Sequence, residues 1–167
     1  MKEKGKEVII FCEELKSINW DVVNESDLIG IYTLTPTAPR AYEIVRKAKE
    51  LNPDNLLVVM GGPHVSFRPK EALRNGADFV VRGEGERTFP KLVECLENRA
   101  DPKSVDGISF IEEDNQIIHC PEQNLVKNLD ELPFPDLSLI EGYQKLKIVP
   151  LQTTRGCPHN CNFCQVV

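Results

Sequence analysis

The chain lacks several features that would place it in a familiar function class. It has no apolar run near the ~20 residues needed to span a bilayer. Its basic start, Met1 to Lys6, is followed only by Val8-Ile-Ile-Phe-Cys12 and two glutamates, too short for the apolar centre of a signal peptide. A cytoplasmic location is expected. There is no stripe or arm of Lys and Arg, and the formal net charge is −6, so electrostatics give no reason to expect a nucleic-acid partner. No internal repeat and no low-complexity tract occurs. A disulfide framework spread through a small secreted fold is also missing. Of the six cysteines, Cys12, Cys95 and Cys120 are scattered, whereas Cys157, Cys161 and Cys164 crowd the end. That distribution suggests reduced thiols and one metal site.

What is present is the makeup of an ordinary domain with a tail. The 167 residues are 41% hydrophobic and 28% charged, enough for a core and typical of a soluble protein. Short, nearly continuous β-branched runs at Glu7–Phe11, Asp27–Thr33, Leu56–Met60 and Asp78–Val81 read as strands buried on both faces. Helical patterns separate them. Ala41, Ile44, Val45, Ala48 and Leu51 make one stripe, with Thr37 as cap, Pro39 in the first turn and Asn52-Pro53 as the stop. Pro69 to Asn75 is a short helix closed by a left-handed Gly76. Phe89, Leu92, Val93 and Leu96 make a further stripe, with Thr88 as its cap and Pro90 in its first turn.

Alternating strands and helices imply βαβ units: an α/β fold with a Rossmann-like or flavodoxin-like parallel sheet flanked by helices. After residue 100 the pattern changes. Gly107–Ile111 and Gln116–His119 flank Glu113-Asp-Asn115 and predict a hairpin. The expected division is a sheet domain over 1–120, a Pro-, Asn- and Asp-rich linker over 121–147, and the start of another domain over 148–167. Ile148–Thr153 reads as one more strand.

Chemistry gathers at two places. The first is Thr154-Arg-Gly-Cys157-Pro-His-Asn-Cys161-Asn-Phe-Cys164, a C-x3-C-x2-C spacing after a predicted strand. Thiolates are soft ligands for iron–sulfur clusters and zinc. Three of them can hold three irons of a [4Fe–4S] cluster and leave the fourth iron open. A structural zinc site would want a fourth ligand, and His159 inside the loop is the rival donor for a zinc-binding interaction protein. The second place is the set of loops at the carboxyl ends of the predicted strands, where open parallel sheets bind ligands. These are Thr33-Leu-Thr-Pro-Thr37, Gly61-Gly-Pro-His-Val-Ser66 and Arg82-Gly-Glu-Gly-Glu86. Paired glycines allow close backbone approach, and exposed N–H groups and hydroxyls suit a ligand with phosphate and amide groups. Gly83-Glu-Gly85 fails as a dinucleotide fingerprint, because Thr88 stands where its third glycine belongs. The glycines also read as tight turns alone, and Glu84 and Glu86 as solvated loop charges. A response-regulator-like domain would need an acidic cluster at the strand ends, which only the Glu84 and Glu86 region offers.

Together these motifs resemble the cobalamin-binding radical S-adenosylmethionine (SAM) family: a B12-binding domain followed by the start of a radical SAM domain. Arg155-Gly156 before the first cysteine of the cluster and Phe163 before the last carry the second part. Gly61-Gly-Pro-His64 ahead of Arg82-Gly-Glu-Gly-Glu86, with Pro133-Phe-Pro-Asp136 as the link, carries the first. The resemblance implies a [4Fe–4S] cluster on Cys157, Cys161 and Cys164, with SAM bound to the open iron and cleaved by one electron to a 5′-deoxyadenosyl radical. The electron would come from a donor such as flavodoxin or ferredoxin. It implies cobalamin against Thr33, Thr35, Gly61, Gly62, His64, Gly83, Glu84 and Gly85. The parent reaction would be methyl transfer or a tetrapyrrole-type cyclisation on a small substrate; a stand-alone cobalamin carrier is the alternative.

The resemblance has departures. The D-x-H-x-x-G of cobalamin mutases is absent, since Gly62, Ile117 and Cys157 stand two residues before the three histidines. Cobalt without a protein histidine beneath it is therefore expected, with His64 a helix-start or nucleotide-tail contact. Six residues precede Glu7, whereas the family pattern begins with another strand and helix. That strand would lie mid-sheet in a 2-1-3-4-5 order, and without it backbone edges would stand unpaired. A radical SAM barrel would need roughly another ~200 residues, by analogy with other α/β barrels. This chain alone is expected to be inactive.

Overall fold

A computed structural model describes residues 5–150, 152–159, 161, 162 and 164. These group into two compact units. The larger holds residues 19–135 with Gly5 and Lys6, and the smaller holds Glu7–Ile18 with the chain from Asp136 onward.

The larger unit follows the βα alternation. Helix α1 (Trp20–Glu25) leads into β1 (Leu28–Tyr32). Then come α2 (Ala38–Leu51), β2 (Leu57–Gly61), α3 (Pro63–Phe67), α4 (Pro69–Arg74), β3 (Phe79–Val81) and α5 (Gly85–Glu97). The hairpin β4 (Ile108–Ile111) and β5 (Ile117–His119) closes the series. The five strands form one sheet in the order β1-β2-β3-β4-β5. The first three are parallel, with Leu28 beside Leu57 and Val59 beside Phe79; β4 pairs antiparallel with β3, and β5 antiparallel with β4. The sheet is therefore mixed, and the predicted hairpin extends it. Asn115, left-handed at φ 65°, and the Glu112 N–H, which donates to the Gln116 carbonyl at 2.9 Å, shape the hairpin loop.

Burial explains the order of the elements. Val58, Met60 and Val80 are fully covered, as the continuous apolar runs demand. Phe79 and Phe110 face each other across β3 and β4 with ring centroids 5.7 Å apart, and Leu92 of α5 and Ile108 complete the cluster around them. α2 buries the side of its predicted stripe that carries Ala41, Val45 and Ala48. Gly76, at φ 102°, ends the α4 segment where a Cβ would stand 3.2 Å from Val45 Cγ1.

Three local readings change. Glu7–Phe11 is not a sheet strand: Ile10 makes a single parallel bridge to Ile140, through an N–H to Leu139 O at 2.8 Å. Ile9 and Ile10 stay about two-fifths exposed, at 41% and 42%, so no core face stabilises longer pairing. The described part of Ile148–Thr153 contains no strand, and Leu151 lies outside the described residues. α5 begins at Gly85, with Glu84 as N-cap in an extended conformation. Thr88 is thus a fully buried residue of the first turn, and Pro90 lies inside the helix at the cost of one backbone hydrogen bond.

Candidate functional site

The carboxyl ends of β1, β2 and β3 carry three loops, and main-chain bonds tie the first two together. Thr33 donates its N–H to Gly61 O at 2.8 Å, and its carbonyl accepts from the His64 N–H at 3.2 Å. The Thr33 residue is fully buried, and its hydroxyl oxygen has no hydrogen-bond partner. An orphaned hydroxyl costs free energy unless a ligand or water satisfies it, so Thr33 marks a place for a polar group.

Of the two glycines in the second loop, Gly62 is the one the backbone requires. Its backbone, at φ 102° and ψ 172°, lies in a region essentially reserved for glycine. A Cβ there would stand 2.7 Å from Thr33 O and 3.1 Å from Tyr32 Cδ2. Gly61 is less constrained, since its Cβ would meet Val81 O at 3.9 Å. Gly83 has φ 69° but open space around it, and Gly85 opens α5 with a Cβ position 3.8 Å from Val81 Cγ1.

The third loop is held to the second by Ser66. Its hydroxyl donates to Gly62 O at 2.9 Å and accepts from the Gly83 N–H at 3.0 Å. Glu84 turns to the following chain, where its Oε2 accepts from the Val126 N–H at 2.6 Å. Arg82 anchors the base of this loop by donating to the carbonyls of Ile108 and Cys120. Beside the first loop, Thr35 Oγ1 lies 3.2 Å from His64 Nδ1. The site is thus a rim of backbone, hydroxyls and one imidazole, bordered by exposed Tyr32, Leu34 and Phe67. Such a rim suits a large ligand with both apolar surface and amide or phosphate groups.

Residues 20–93 match the family model described as the B12 binding domain. The chain carries a B12-binding domain. It is similar to the cobalamin-dependent radical SAM methyltransferase TokK of Streptomyces tokunonensis, 30% identical over 155 residues, covering 86% of this chain and 22% of that protein. An uncharacterized methyltransferase of Pyrococcus horikoshii is 41% identical over 147 residues, covering 84% of this chain and 31% of that protein. An anaerobic magnesium-protoporphyrin IX monomethyl ester cyclase of Rubrivivax gelatinosus is 30% identical, over 98% of this chain and 32% of its own length. The chain therefore spans about a third of the length of these curated relatives. Among solved structures, the cobalamin-dependent SAM radical enzyme OxsB with aqua-cobalamin bound superposes at a TM-score of 0.57. It covers 69% of this chain and 16% of OxsB at 21% identity, a likeness of fold.

All eight loop residues predicted as cofactor contacts belong to the B12-binding domain and fall on its three strand-end loops. The structure brings Thr33, Thr35, Gly61, Gly62 and His64 into one bonded group; Gly83 joins it through Ser66, while Glu84 faces Val126. The cysteines behave differently. Cys157, Cys161 and Cys164 are exposed free thiols in the smaller unit, with the Cys164 N–H on Cys161 O at 3.0 Å. Among the described residues, no group of three or more His, Cys, Asp or Glu side chains is placed to hold a metal ion. Also among them, no helix is long and apolar enough to cross a membrane.

Sequence reasoning missed Ser66, Tyr42 and Glu71. Ser66 lies within the loop read as Gly61–Ser66, but its bond to Gly83 reaches 17 residues along the chain. Tyr42 lies on α2 one residue from its predicted stripe, yet is buried with its ring centroid 6.3 Å from that of His64.

Proposed function

We propose that this chain binds cobalamin on the three strand-end loops, as part of a radical SAM enzyme that performs methyl transfer or a tetrapyrrole-type cyclisation. One observation carries the reading: Gly62 lies against the backbone of a fully buried Thr33 whose hydroxyl lacks a partner. An unsatisfied hydroxyl at a glycine-only turn between two strand-end loops fits a ligand that brings a polar group to this rim. Thr33, Thr35, Gly61, Gly62 and His64 would hold the cofactor, with Gly83, Glu84 and Gly85 shaping the far side of the rim. Bound cobalamin supplies a cobalt centre able to carry a methyl group. No histidine here falls in a D-x-H-x-x-G pattern, so the residues named would hold the cofactor without a histidine of that motif.

Cys157, Cys161 and Cys164 would hold a [4Fe–4S] cluster, because soft thiolates at this spacing suit iron and leave one iron for SAM. A substrate and an electron donor such as flavodoxin or ferredoxin complete the reading for the whole protein.

The cobalamin half is tested by mixing hydroxocobalamin with the chain and following co-elution in gel filtration. Wild type should carry the pigment, and Thr33→Val, a near-isosteric change that removes the unpaired hydroxyl, should retain less of it while remaining folded by circular dichroism. A colourless wild type rejects the assignment. The cluster half is tested by anaerobic reconstitution with iron and sulfide. A brown chromophore should form and disappear in Cys161→Ala; preferential uptake of zinc would favour the interaction-protein alternative.

A further inference from the structure

Behind the Thr35 hydroxyl lies a row of polar groups with a defined direction. His64 Nδ1 faces Thr35 Oγ1 at 3.2 Å. Its other ring nitrogen, Nε2, lies 3.7 Å from Glu71 Oε1, within electrostatic reach but beyond a hydrogen bond. Nε2 is buried and makes no hydrogen bond, and the His64 side chain is only 12% exposed. The Tyr42 hydroxyl is buried beside the same Glu71 carboxylate. Burial first, and then the Glu71 carboxylate, push this phenol up to about 12, so it stays protonated and adds no second negative charge.

Proton accounting follows from this layout. A neutral imidazole carries one N–H, and its position is set by what each nitrogen faces. Placing the proton on Nδ1 would leave the Nε2 lone pair facing the Glu71 carboxylate, an electrostatic repulsion at a side chain that is 46% exposed. Placing it on Nε2 aims an N–H at that carboxylate. The Nε2–H form is therefore favoured, and Nδ1 becomes an acceptor. The donor within reach of Nδ1 is the Thr35 hydroxyl. Threonine has a single hydroxyl proton, so once it points at Nδ1 the exposed side of Oγ1 offers lone pairs alone.

We propose that Glu71 and His64 fix Thr35 as a hydrogen-bond acceptor, so that it binds a carboxamide N–H of the ligand and does not donate to a phosphate. The inference rests on the cobalamin reading of the same loops. It decides between the two polar groups such a ligand brings there: the amides around its ring and the phosphate of its tail. Glu71 acts here as a positioning residue, and this effect of His64 runs through Thr35, apart from any contact His64 makes itself.

Two measurements test it. The first needs no ligand. Long-range 1H–15N spectra of the labelled chain at pH 8 report the tautomer of each of its three histidines, and His64→Gln assigns the signal. His64 should show the Nε2–H pattern, and Glu71→Gln should weaken that preference. An Nδ1–H pattern in wild type overturns the proposal. The second compares hydroxocobalamin with its monocarboxylic acids, each carrying one side-chain amide as a carboxylate. One of these acids should bind about three- to tenfold more weakly than the parent, the size of one net hydrogen bond. That discrimination should vanish in Thr35→Val and persist in Thr35→Ser. If Thr35→Val changes the discrimination for none of the acids, the ligand half of the proposal fails while the cobalamin reading stands. If hydroxocobalamin itself does not bind, the cobalamin reading falls and takes that half with it.

Discussion

A Cβ on Gly62 would stand 2.7 Å from the carbonyl oxygen of Thr33, a contact that side-chain relaxation cannot relieve because the Cβ is fixed by its own backbone and its partner is a backbone atom. Gly83 supplies the contrast, since it shares a positive φ, at 69°, but has nothing within 4 Å of its Cβ position. Gly62→Ala should therefore cost on the order of 3 kcal/mol of stability, combining a glycine-only conformation with a clash. Gly83→Ala should cost about 1 kcal/mol, the left-handed penalty alone. Urea denaturation of the two variants checks the difference, and equal costs would contradict this account of the second loop.

Ser66 joins two loops through one hydroxyl. Ser66→Ala removes a donor from Gly62 O and an acceptor from the Gly83 N–H. Both groups lie near solvent, so the expected loss is about 0.5–1 kcal/mol. The sharper readout is local: the Gly83 amide should exchange with deuterium faster in the variant, while amides of β2 keep their rates.

The six cysteines should separate by reactivity. Cys157, Cys161 and Cys164 are exposed, whereas Cys95 and Cys120 are buried in the core around Phe79 and Phe110. Burial also pushes the Cys120 thiol up, which lowers its thiolate fraction. With a thiol-reactive dye under reducing, metal-free conditions, the three terminal cysteines should be labelled first. Cys95 and Cys120 should react only once denaturant is added. Peptide mapping after a brief pulse reads the order.

His119 gives a pH dependence. Burial, followed by the positive charges of Arg82 and Lys70, holds its imidazole below the usual range. Its Nδ1 lies 2.8 Å from the hydroxyl of Ser109, which is fully buried. Below the unfolded value of about 6.5, the unfolded chain takes up this proton before the folded chain does. The His119 contribution to stability is thus present above that value. It declines as pH falls from there through the lower folded value. His119→Gln should flatten the decline in melting temperature over that acidic interval, and an unchanged slope would show that other groups dominate it.

Much of the sheet was legible because its strands announce themselves locally. Leu56–Met60 and Asp78–Val81 are β-branched runs that can only be satisfied inside, and Glu113-Asp-Asn115 is a turn by composition. Glu7–Phe11 carries the same local signal and still fails to join the sheet, because a run of apolar residues does not specify its neighbour. The start of α5 was misplaced for a related reason. Thr88 has the chemistry of a cap, but its burial beside Gly107 comes from tertiary packing. At the site, glycines and threonines stood out because they are needed at fixed backbone geometries. Tyr42 and Glu71 did not, since nothing in their sequence neighbourhood places them beside His64. The thiol cluster is the reverse case, plain in the spacing of Cys157, Cys161 and Cys164 and without a gathered ligand set among the described residues.

The two main-chain bonds centred on Thr33 have a consequence for how quickly and how tightly anything is captured. With its N–H on Gly61 and its carbonyl under the His64 amide, neither loop can swing open without disrupting the other. Excursions of this rim should therefore be cooperative and infrequent. An arriving molecule meets a surface whose disorder was already removed when the chain folded, so little of its contact energy is spent on immobilising protein.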